Sequence, residues 1–96
     1  MSKYEIMYIL RDNLEEEARK TAIAKLHAIL TDNGAVIRNV TEWGVKELAY
    51  EIKDQKKGYY VLLKITAEPA ATKEFDRLTK FNPQVLRHLI ITDPEK

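Results

Sequence analysis

The first ten residues alternate between apolar positions and positions of mixed character. One side of an extended chain would carry Tyr4, Ile6, Tyr8 and Leu10. The other side would carry Lys3, Glu5, Met7 and Ile9. A period of two is typical of a strand with one buried face, so residues 3–10 predict a strand that turns its apolar side to a core.

A helical spacing replaces this alternation in the next segment. Apolar residues recur at steps of three and four, which places them along one helix face: Leu14, Ala18, Ala22, Leu26, Ile29 and Leu30. The polar residues 11–13 offer a side-chain cap for the helix start, and Asn33 with Gly34 ends the helix with residues that tolerate a positive φ. His27 falls among the polar positions, which predicts a solvated side chain.

Two strands are predicted after this helix. Residues 35–53 are extended, and the glycine of the Trp43–Gly44 pair indicates a bulge or a close backbone approach within them. Residues 54–58 form a polar turn closed by glycine, and residues 59–67 form the next strand. The two strands therefore predict a hairpin.

A second helix opens at Glu68 and Pro69, since proline is tolerated at the first helical position. Its inner side is expected to carry Phe75 and Leu78. Pro83 ends it, because proline drives the preceding residue out of helical geometry.

A last strand spans residues 85–91, and a polar tail follows at residues 93–96. Both sides of this strand are largely apolar, which leaves its facing open. The complete order, β-α-β-β-α-β, predicts one α+β domain over residues 1–96. Its natural architecture is a four-stranded antiparallel sheet with two helices on one face, which leaves the other face to solvent or a partner.

Length and composition are typical of a folded globular protein. Of 96 residues, 45% are hydrophobic and 32% are charged. The absence of cysteine excludes disulfides, thiol catalysis and cysteine-based metal sites, and agrees with a reducing cytoplasm. Apolar runs are far shorter than the ~20 residues of a membrane span. A net charge of +1 is weak for a protein that binds nucleic acid unaided.

Candidate catalytic groups are sparse in this sequence. Its three glycines form no phosphate-binding loop, and its two histidines show no metal-ligand spacing. The acidic residues 15–17 lie at a helix start, where carboxylates favour the positive end of the helix dipole. We therefore assign no catalytic residue, no metal ligand and no cofactor.

Residues 56–64, KKGYYVLLK, resemble the third-strand octamer of RNA-recognition domains, whose aromatic side chains stack on bases. Aligned with that octamer, Lys57, Tyr59 and Val61 would face the RNA. That side of the strand is apolar from Tyr59 onward, so it is expected to face the helices instead. We therefore predict Tyr59 as a core residue and Tyr60 on the open side of the sheet.

Cationic and polar residues gather near the end of the second helix. The group comprises Arg77, Lys80, Asn82 and Arg87, which we expect to crowd one corner of the molecule. Phosphate binding requires such convergent positive charge. Contact with RNA and an ordinary solvated surface both remain open for this group.

The run GVKELAYEIK at residues 44–53 resembles the signature of the bacterial small-subunit ribosomal protein number six family. The matching residues are Gly44, Lys46, Glu47, Leu48, Ala49, Tyr50, Ile52 and Lys53. The preceding Glu42 and Trp43 resemble the family's acidic-Trp-Gly motif. KYEIMYILR resembles its first strand, and EFDRLTKFNPQVLRHLII resembles its second helix and last strand, so the resemblance covers essentially the whole chain.

The resemblance implies a ferredoxin-like fold, in agreement with the predicted order of elements. It also implies a non-catalytic component of the small ribosomal subunit in the cytoplasm, without a membrane or small-molecule partner. Such a protein would bind the central domain of small-subunit ribosomal RNA together with ribosomal protein eighteen, and would support subunit assembly and translation. Shared binding explains the weak net charge, because one partner need not supply all the positive charge.

Two sets of contact residues follow from this interpretation. RNA contacts are expected from Lys3, Tyr4, Arg77, Lys80, Phe81, Asn82 and Arg87. Contacts with the protein partner are expected from Trp43, Lys46, Leu48, Tyr50, Tyr60 and Leu62. An ordinary structural role is the alternative for Trp43 and Tyr50. The open face is expected to add Glu5, Met7 and Ile9 as a mixed apolar surface.

A regulatory module of the same fold, such as an amino-acid-sensing domain, is the alternative class. It would bind its ligand between paired copies, but no ligand loop is evident in the sequence. An enzyme would need a titratable pair in a cleft, and none can be assembled from these residues. Binding to central-domain RNA, with and without the partner protein, would separate the classes.

Overall fold

The structure, a computed structural model, describes residues 1–92. Its elements are β1 (Ser2–Arg11), α1 (Glu16–Asp32), β2 (Val36–Ile52), β3 (Gln55–Ala67), α2 (Pro69–Lys80) and β4 (Val85–Thr92). These strands form one antiparallel sheet in the order β2-β3-β1-β4. The predicted β-α-β-β-α-β architecture is confirmed, whereas the predicted tail at residues 93–96 lies outside the described residues.

The core lies between the two helices and one face of the sheet. Along β3, every second side chain from Val61 to Ala67 is fully buried, as the alternation predicted. The buried cluster joins both helices to the strands and consists of Ile6, Tyr8, Leu10, Ala22, Leu26, Leu30, Ala35, Val61, Leu63, Ile65, Ala67, Ala71, Phe75 and Val85. Both helices therefore cover the same face of the sheet.

The start of α1 differs from the prediction. Glu15 is the N-cap residue, its backbone is extended, and no side-chain hydrogen bond caps the helix. The predicted cap from residues 11–13 is wrong, because the helix starts too far along the chain for Asn13 to reach its first N–H groups. Glu16 and Glu17 in the first turn favour the helix dipole instead. The predicted helix end is confirmed, since Gly34 follows it at φ 86°.

The reversal between β2 and β3 takes two residues. Lys53 and Asp54 have φ values of 50° and 66°, a conformation that two-residue hairpins require. The predicted turn at residues 54–58 is wrong, because Gly58 lies inside β3. A Cβ at Gly58 would collide with Cγ2 of Ile9. Close approach of a neighbouring side chain, rather than chain reversal, accounts for this glycine.

The predicted bulge in β2 is confirmed. The pairing register between β2 and β3 shifts between Glu42 and Gly44, and Gly44 has a φ of 83°. An extra residue is therefore inserted at Trp43, and glycine supplies the left-handed backbone conformation beside it.

The inner side of α2 differs from the prediction by part of a turn. Its buried residues are Ala71, Thr72, Phe75 and Thr79. Leu78 is 37% exposed, so its predicted inward position is wrong. The buried stripe continues from Phe75 to the residue four positions later, which leaves Leu78 at its margin.

The facing of β4, which the sequence left open, follows from its pairing with β1. His88 lies opposite the buried Tyr8, whereas Leu89 lies opposite Met7. His88 and Ile90 therefore face the helices. Leu89 and Ile91 face the other side of the sheet and are about half exposed.

Candidate functional site

The face of the sheet opposite the helices, here called the open face, combines apolar, aromatic and cationic side chains. Cross-strand pairs such as Met7 with Leu62 and Met7 with Leu89 define its rows. Its members are Lys3, Glu5, Met7, Ile9, Trp43, Lys46, Tyr60, Leu62, Lys64, Arg87, Leu89 and Ile91. Such a mixture is typical of an interaction surface.

Trp43 and Tyr60 stack on each other at the β2 side of the open face. Their ring centroids are 6.4 Å apart, and their planes are inclined by 23°. Lys46 Nζ lies 4.8 Å from the centroid of the Trp43 ring, within the range of a cation–π contact. Three of the side chains predicted to bind a partner, here called the aromatic cluster, are thus brought together.

An apolar groove of about 140 Å³ lies at the β4 side of the open face. Its lining residues are Glu5, Met7, Leu62, Leu89 and Ile91. Leu62 was among the predicted partner residues. Sequence analysis missed Leu89 and Ile91, because both sides of β4 are apolar in sequence and only the pairing with β1 decides between them.

The hairpin tip, residues 47–57, folds over one end of the open face. Leu48 and Tyr50, two further predicted partner residues, line a groove of about 160 Å³ together with Ile9 of β1 and Leu89 of β4. Ile9 is 3% exposed as a result. Its predicted place on the accessible surface is wrong, because alternation places it on the open face but cannot reveal that the tip covers it.

Two hydrogen bonds join the hairpin tip to β4. The Arg87 guanidinium donates to the Tyr50 hydroxyl at 2.7 Å, and Lys53 Nζ donates to the Val85 carbonyl at 3.3 Å. Tyr50 itself is 61% exposed. Arg87 is therefore held at the accessible edge of the tip, on the open face.

The predicted cationic corner is only partly assembled. Arg77, Lys80 and Phe81 lie together at the end of α2, and Phe81 is 80% exposed. Arg87 does not join them, because it lies opposite Ile9 and so projects from the other face of the sheet. The expectation that all four residues crowd one corner is wrong for this reason.

Arg77 and Lys80, the two cations in the last turn of α2, are paired within the helix. Arg77 Nε donates to Glu74 at 2.6 Å, and this hydrogen bond holds the pKa of the Glu74 carboxyl below its ordinary value. Lys80 Nζ lies 3.1 Å from Asp76. Hydrogen bonds from His88 and Lys80 lower the pKa of Asp76, and the bond from His88 has the larger effect. Since exposed ion pairs are weak, these cations can exchange a carboxylate for a phosphate at small cost.

The other predicted RNA contacts occupy separate places. Asn82 Oδ1 accepts a hydrogen bond from the Gln84 backbone N–H at 2.9 Å, which stabilises the turn into β4. Lys3 is exposed on the open face. Tyr4 packs partly buried against the core, and its strand position lies opposite Thr92 at the far end of β4.

His27 of α1 and Tyr8 of β1 form a partly buried polar contact between the helix and the sheet. The Tyr8 hydroxyl lies 2.9 Å from His27 Nε2. Burial lowers the pKa of His27 and raises the pKa of Tyr8. The predicted solvated His27 is wrong, because the tyrosine hydroxyl gives the imidazole a partner at the helix–sheet contact that the helical pattern does not reveal.

Tyr59 faces the helices, as predicted, but at the edge of the core. Its hydroxyl donates to Glu42 at 2.6 Å, and this bond raises the pKa of Tyr59. The Arg19 guanidinium carbon lies 4.3 Å from the centroid of its ring. Tyr59 of β3 therefore connects the N-terminal end of α1 to β2.

Residues 1–92 contain neither a grouping of metal ligands nor a membrane-spanning helix. In that range no group of three His, Cys, Asp or Glu side chains is arranged to hold a metal ion. No helix there has the length and apolar character needed to cross a membrane.

Comparison with known proteins gives results that agree with one another. The sequence model of the ribosomal protein S6 family matches residues 3–92. Small ribosomal subunit protein bS6 of Exiguobacterium sibiricum is 51% identical over 96 residues, which cover 100% of both chains. The sequence likeness therefore extends over the aromatic cluster, the hairpin tip and the end of α2.

Solved structures show the same fold at lower identity. The 30S ribosomal protein S6 of Thermotoga maritima superposes with a TM-score of 0.91 at 24% identity, covering 96% of this chain and 87% of that one. The C-terminal domain of the MgtC protein from Mycobacterium tuberculosis superposes with a TM-score of 0.64 at 12% identity, covering 99% and 90%. At these identities the likeness concerns the fold alone.

Proposed function

Because the chain belongs to the ribosomal protein S6 family, we propose that it binds the central domain of small-subunit ribosomal RNA together with ribosomal protein S18. Membership makes it a protein of the small subunit in the cytoplasmic ribosome, in a family that is structural rather than catalytic. The RNA region and the protein partner are the proposal. Its role would be to support assembly of the subunit.

The open face is the observation that carries this proposal. It holds an apolar groove beside Leu89 and Ile91, whose side chains are 47% and 45% exposed. Apolar side chains grouped and rimmed by polar residues mark protein interaction sites. Of the residues expected to bind S18, Leu62 lines this groove, and Leu48 and Tyr50 line the neighbouring one. Lys46, Trp43 and Tyr60 form the aromatic cluster beside them.

The edge formed by β4 supports the proposed RNA contacts. β4 is one of the two edge strands, with Arg87 on its open side and α2 packed over its other side. An RNA backbone that followed this edge would meet Arg87 on one side and Arg77 with Lys80 on the other. Lys3, Tyr4, Phe81 and Asn82 complete the proposed set.

The test is binding to a central-domain RNA fragment with and without S18, at two salt concentrations. We expect tight, salt-dependent binding that requires S18. Arg87→Gln should weaken it and reduce the salt slope by about one. Lys25→Gln, an exposed change on α1, is the control and should leave both unchanged. No binding under either condition, with saturable binding of an amino acid instead, would overturn the proposal in favour of a regulatory module.

A further inference from the structure

The aromatic cluster differs from the apolar grooves beside it in ways that matter for its ligand. The groove at the β4 side is lined by aliphatic side chains and one carboxylate. The cluster instead presents two stacked rings and a lysine ammonium group. Trp43 is 46% exposed although it already stacks on Tyr60, so part of the indole is available to a further planar group.

The backbone fixes the orientation of this surface. The bulge beside Gly44 inserts Trp43 as an extra residue opposite Tyr60. Tyr60 belongs to β3, which lies between β2 and β1 in the sheet. The two rings therefore rest on paired strands rather than on a free loop. A preformed stack of this kind loses little conformational freedom when a third ring is added.

Cations flank the stacked rings along one row of the sheet. Tyr60 lies opposite Ile9, and Ile9 lies opposite Arg87, so Arg87 stands two strands away, at about 10 Å by the usual strand spacing. Tyr60 and Arg87 line the same groove. Within residues 1–92, neither Lys46 nor Arg87 forms a salt bridge. Arg87 contacts the neutral Tyr50 hydroxyl and Lys46 contacts the Trp43 ring, so both cations can bind an anion without first releasing a carboxylate, as Arg77 and Lys80 must.

We propose that Trp43, stacked on Tyr60, binds an unpaired base of a single-stranded RNA segment, with the neighbouring phosphates held by Lys46 and Arg87. Aromatic rings next to cations are the common means of binding single-stranded RNA, because every base has a stacking face and every nucleotide has a phosphate. This inference rests on the proposed RNA-binding function. It assigns the aromatic cluster to RNA and leaves the apolar groove at the β4 side to the protein partner.

The same inference gives the KKGYYVLLK segment a different part in RNA binding. The register places Tyr59 on the helix side of the sheet, at the edge of the core, so its ring does not reach the open face. Tyr60 reaches the open face, and Trp43 of the neighbouring strand covers it. The stacking surface is thus assembled from β2 and β3 and is not contained in the octamer-like run.

Trp43 is the only tryptophan in the chain, which makes it a direct reporter. The experiment uses the full chain with S18 and a central-domain RNA fragment. The emission difference between the wild-type complex and the Trp43→Phe complex isolates Trp43 from any tryptophan in S18. We expect RNA to quench this emission, because stacked bases quench indole fluorescence.

Affinity for the RNA fragment gives the second measurement. Trp43→Ala should weaken binding about tenfold, as expected from losing one base–aromatic stack, whereas Trp43→Phe keeps a ring and should lose much less. Lys46→Gln should reduce the salt slope by about one. Val45→Ala is the matched control, since Val45 is 49% exposed on the same strand but faces the opposite side, and its affinity should be unchanged.

Three results separate failure of this inference from failure of the proposed function. RNA binding that is intact in Trp43→Ala, without quenching of Trp43, overturns the base-stacking site and leaves the proposed function standing. Quenching by S18 alone that RNA does not change assigns Trp43 to the protein partner and also overturns it. Absence of RNA binding in every combination overturns the proposed function and this inference together.

Discussion

The two faces of the sheet use the same strands for different purposes. Along β3, Val61, Leu63 and Ile65 are fully buried against the helices. The residues that alternate with them, Tyr60, Leu62 and Lys64, are half-buried on the open face. Adjacent residues of β3 thus have different roles, one in the core and the next on the open face. Substitutions on the helix-covered face should change stability, and substitutions on the open face should change binding.

The largest expected effect comes from a comparison of two phenylalanines, Phe75 within α2 and Phe81 directly after it. Phe75 is fully buried, whereas Phe81 is 80% exposed. Phe75→Ala should lower the free energy of unfolding by about 3–5 kcal/mol, because it removes a core ring and leaves a cavity. Phe81→Ala should change it by less than about 0.5 kcal/mol. Urea unfolding of the two variants measures both values, and equal losses would contradict the assignment of Phe75 to the core and Phe81 to the surface.

A medium-sized effect is expected where the hairpin tip meets the open face. Gly58→Ala would place a methyl group against Ile9 Cγ2, and overpacking of this kind costs about 1–3 kcal/mol. By displacing the tip, Gly58→Ala should also weaken binding of RNA and S18, and Ile9→Ala added to it should recover part of that affinity by restoring space under the tip. Thermal unfolding of Gly58→Ala measures the loss of stability, and binding of RNA and S18 to the single and double variants measures the recovery. A Gly58→Ala protein as stable as wild type would show that Ile9 does not pack closely against Gly58.

A smaller, pH-limited effect is expected from His27. Burial lowers its pKa, so the unfolded chain binds more protons than the folded chain below the ordinary value of 6.5. This contribution to stability is complete above about pH 6.5 and declines as the pH falls below it. His27→Gln should flatten that decline, because glutamine can still bond Tyr8 but does not titrate. Denaturant unfolding at a series of pH values measures the slope.

Glu74→Gln is the control for the His27 measurement. The pKa of Glu74 lies below its ordinary value of 4.5 because of Arg77, so its contribution is present above that pH and is lost only in more acid solution. The slope near pH 6 should therefore persist in Glu74→Gln. Persistence of the same slope in His27→Gln would show that another group is responsible.

The smallest effect on stability is expected on the open face itself. Leu89 is 47% exposed in the apolar groove, so Leu89→Ser should change the free energy of unfolding by no more than about 1 kcal/mol. The same change should weaken binding of S18 clearly, because it places a hydroxyl in the centre of the proposed contact. Calorimetric titration of S18 into the two proteins measures this, and unchanged S18 affinity would remove Leu89 from the interface.

Sequence alone predicted the architecture because the local patterns were clear. The alternation in β1 and β3 sorted buried from accessible residues, and Asn33 with Gly34 marked the end of α1. These features depend on neighbours in sequence, which a pattern records directly. The resemblance of residues 44–53 to a known signature supplied the family.

The errors at Ile9 and His27 share one physical cause, which is contact between distant segments. Ile9 is buried by a hairpin tip that lies about forty residues later in the chain, and His27 is partly buried against Tyr8. Positive φ values at Lys53 and Asp54, in place of glycine, misled the prediction of the turn. The stacking of Trp43 on Tyr60 also required pairing of β2 with β3, so the proposed base site was not evident from the octamer-like run.

Protection of side chains in the assembled small subunit tests the central claim most directly. Hydroxyl-radical oxidation, read by mass spectrometry, compares each side chain in the free protein and in the purified subunit. The account predicts that Met7, Trp43 and Leu89 on the open face become protected, whereas Val40 and Val45, exposed on the other side of β2, change little. Protection of Val40 and Val45 with unchanged oxidation of Met7, Trp43 and Leu89 would contradict it.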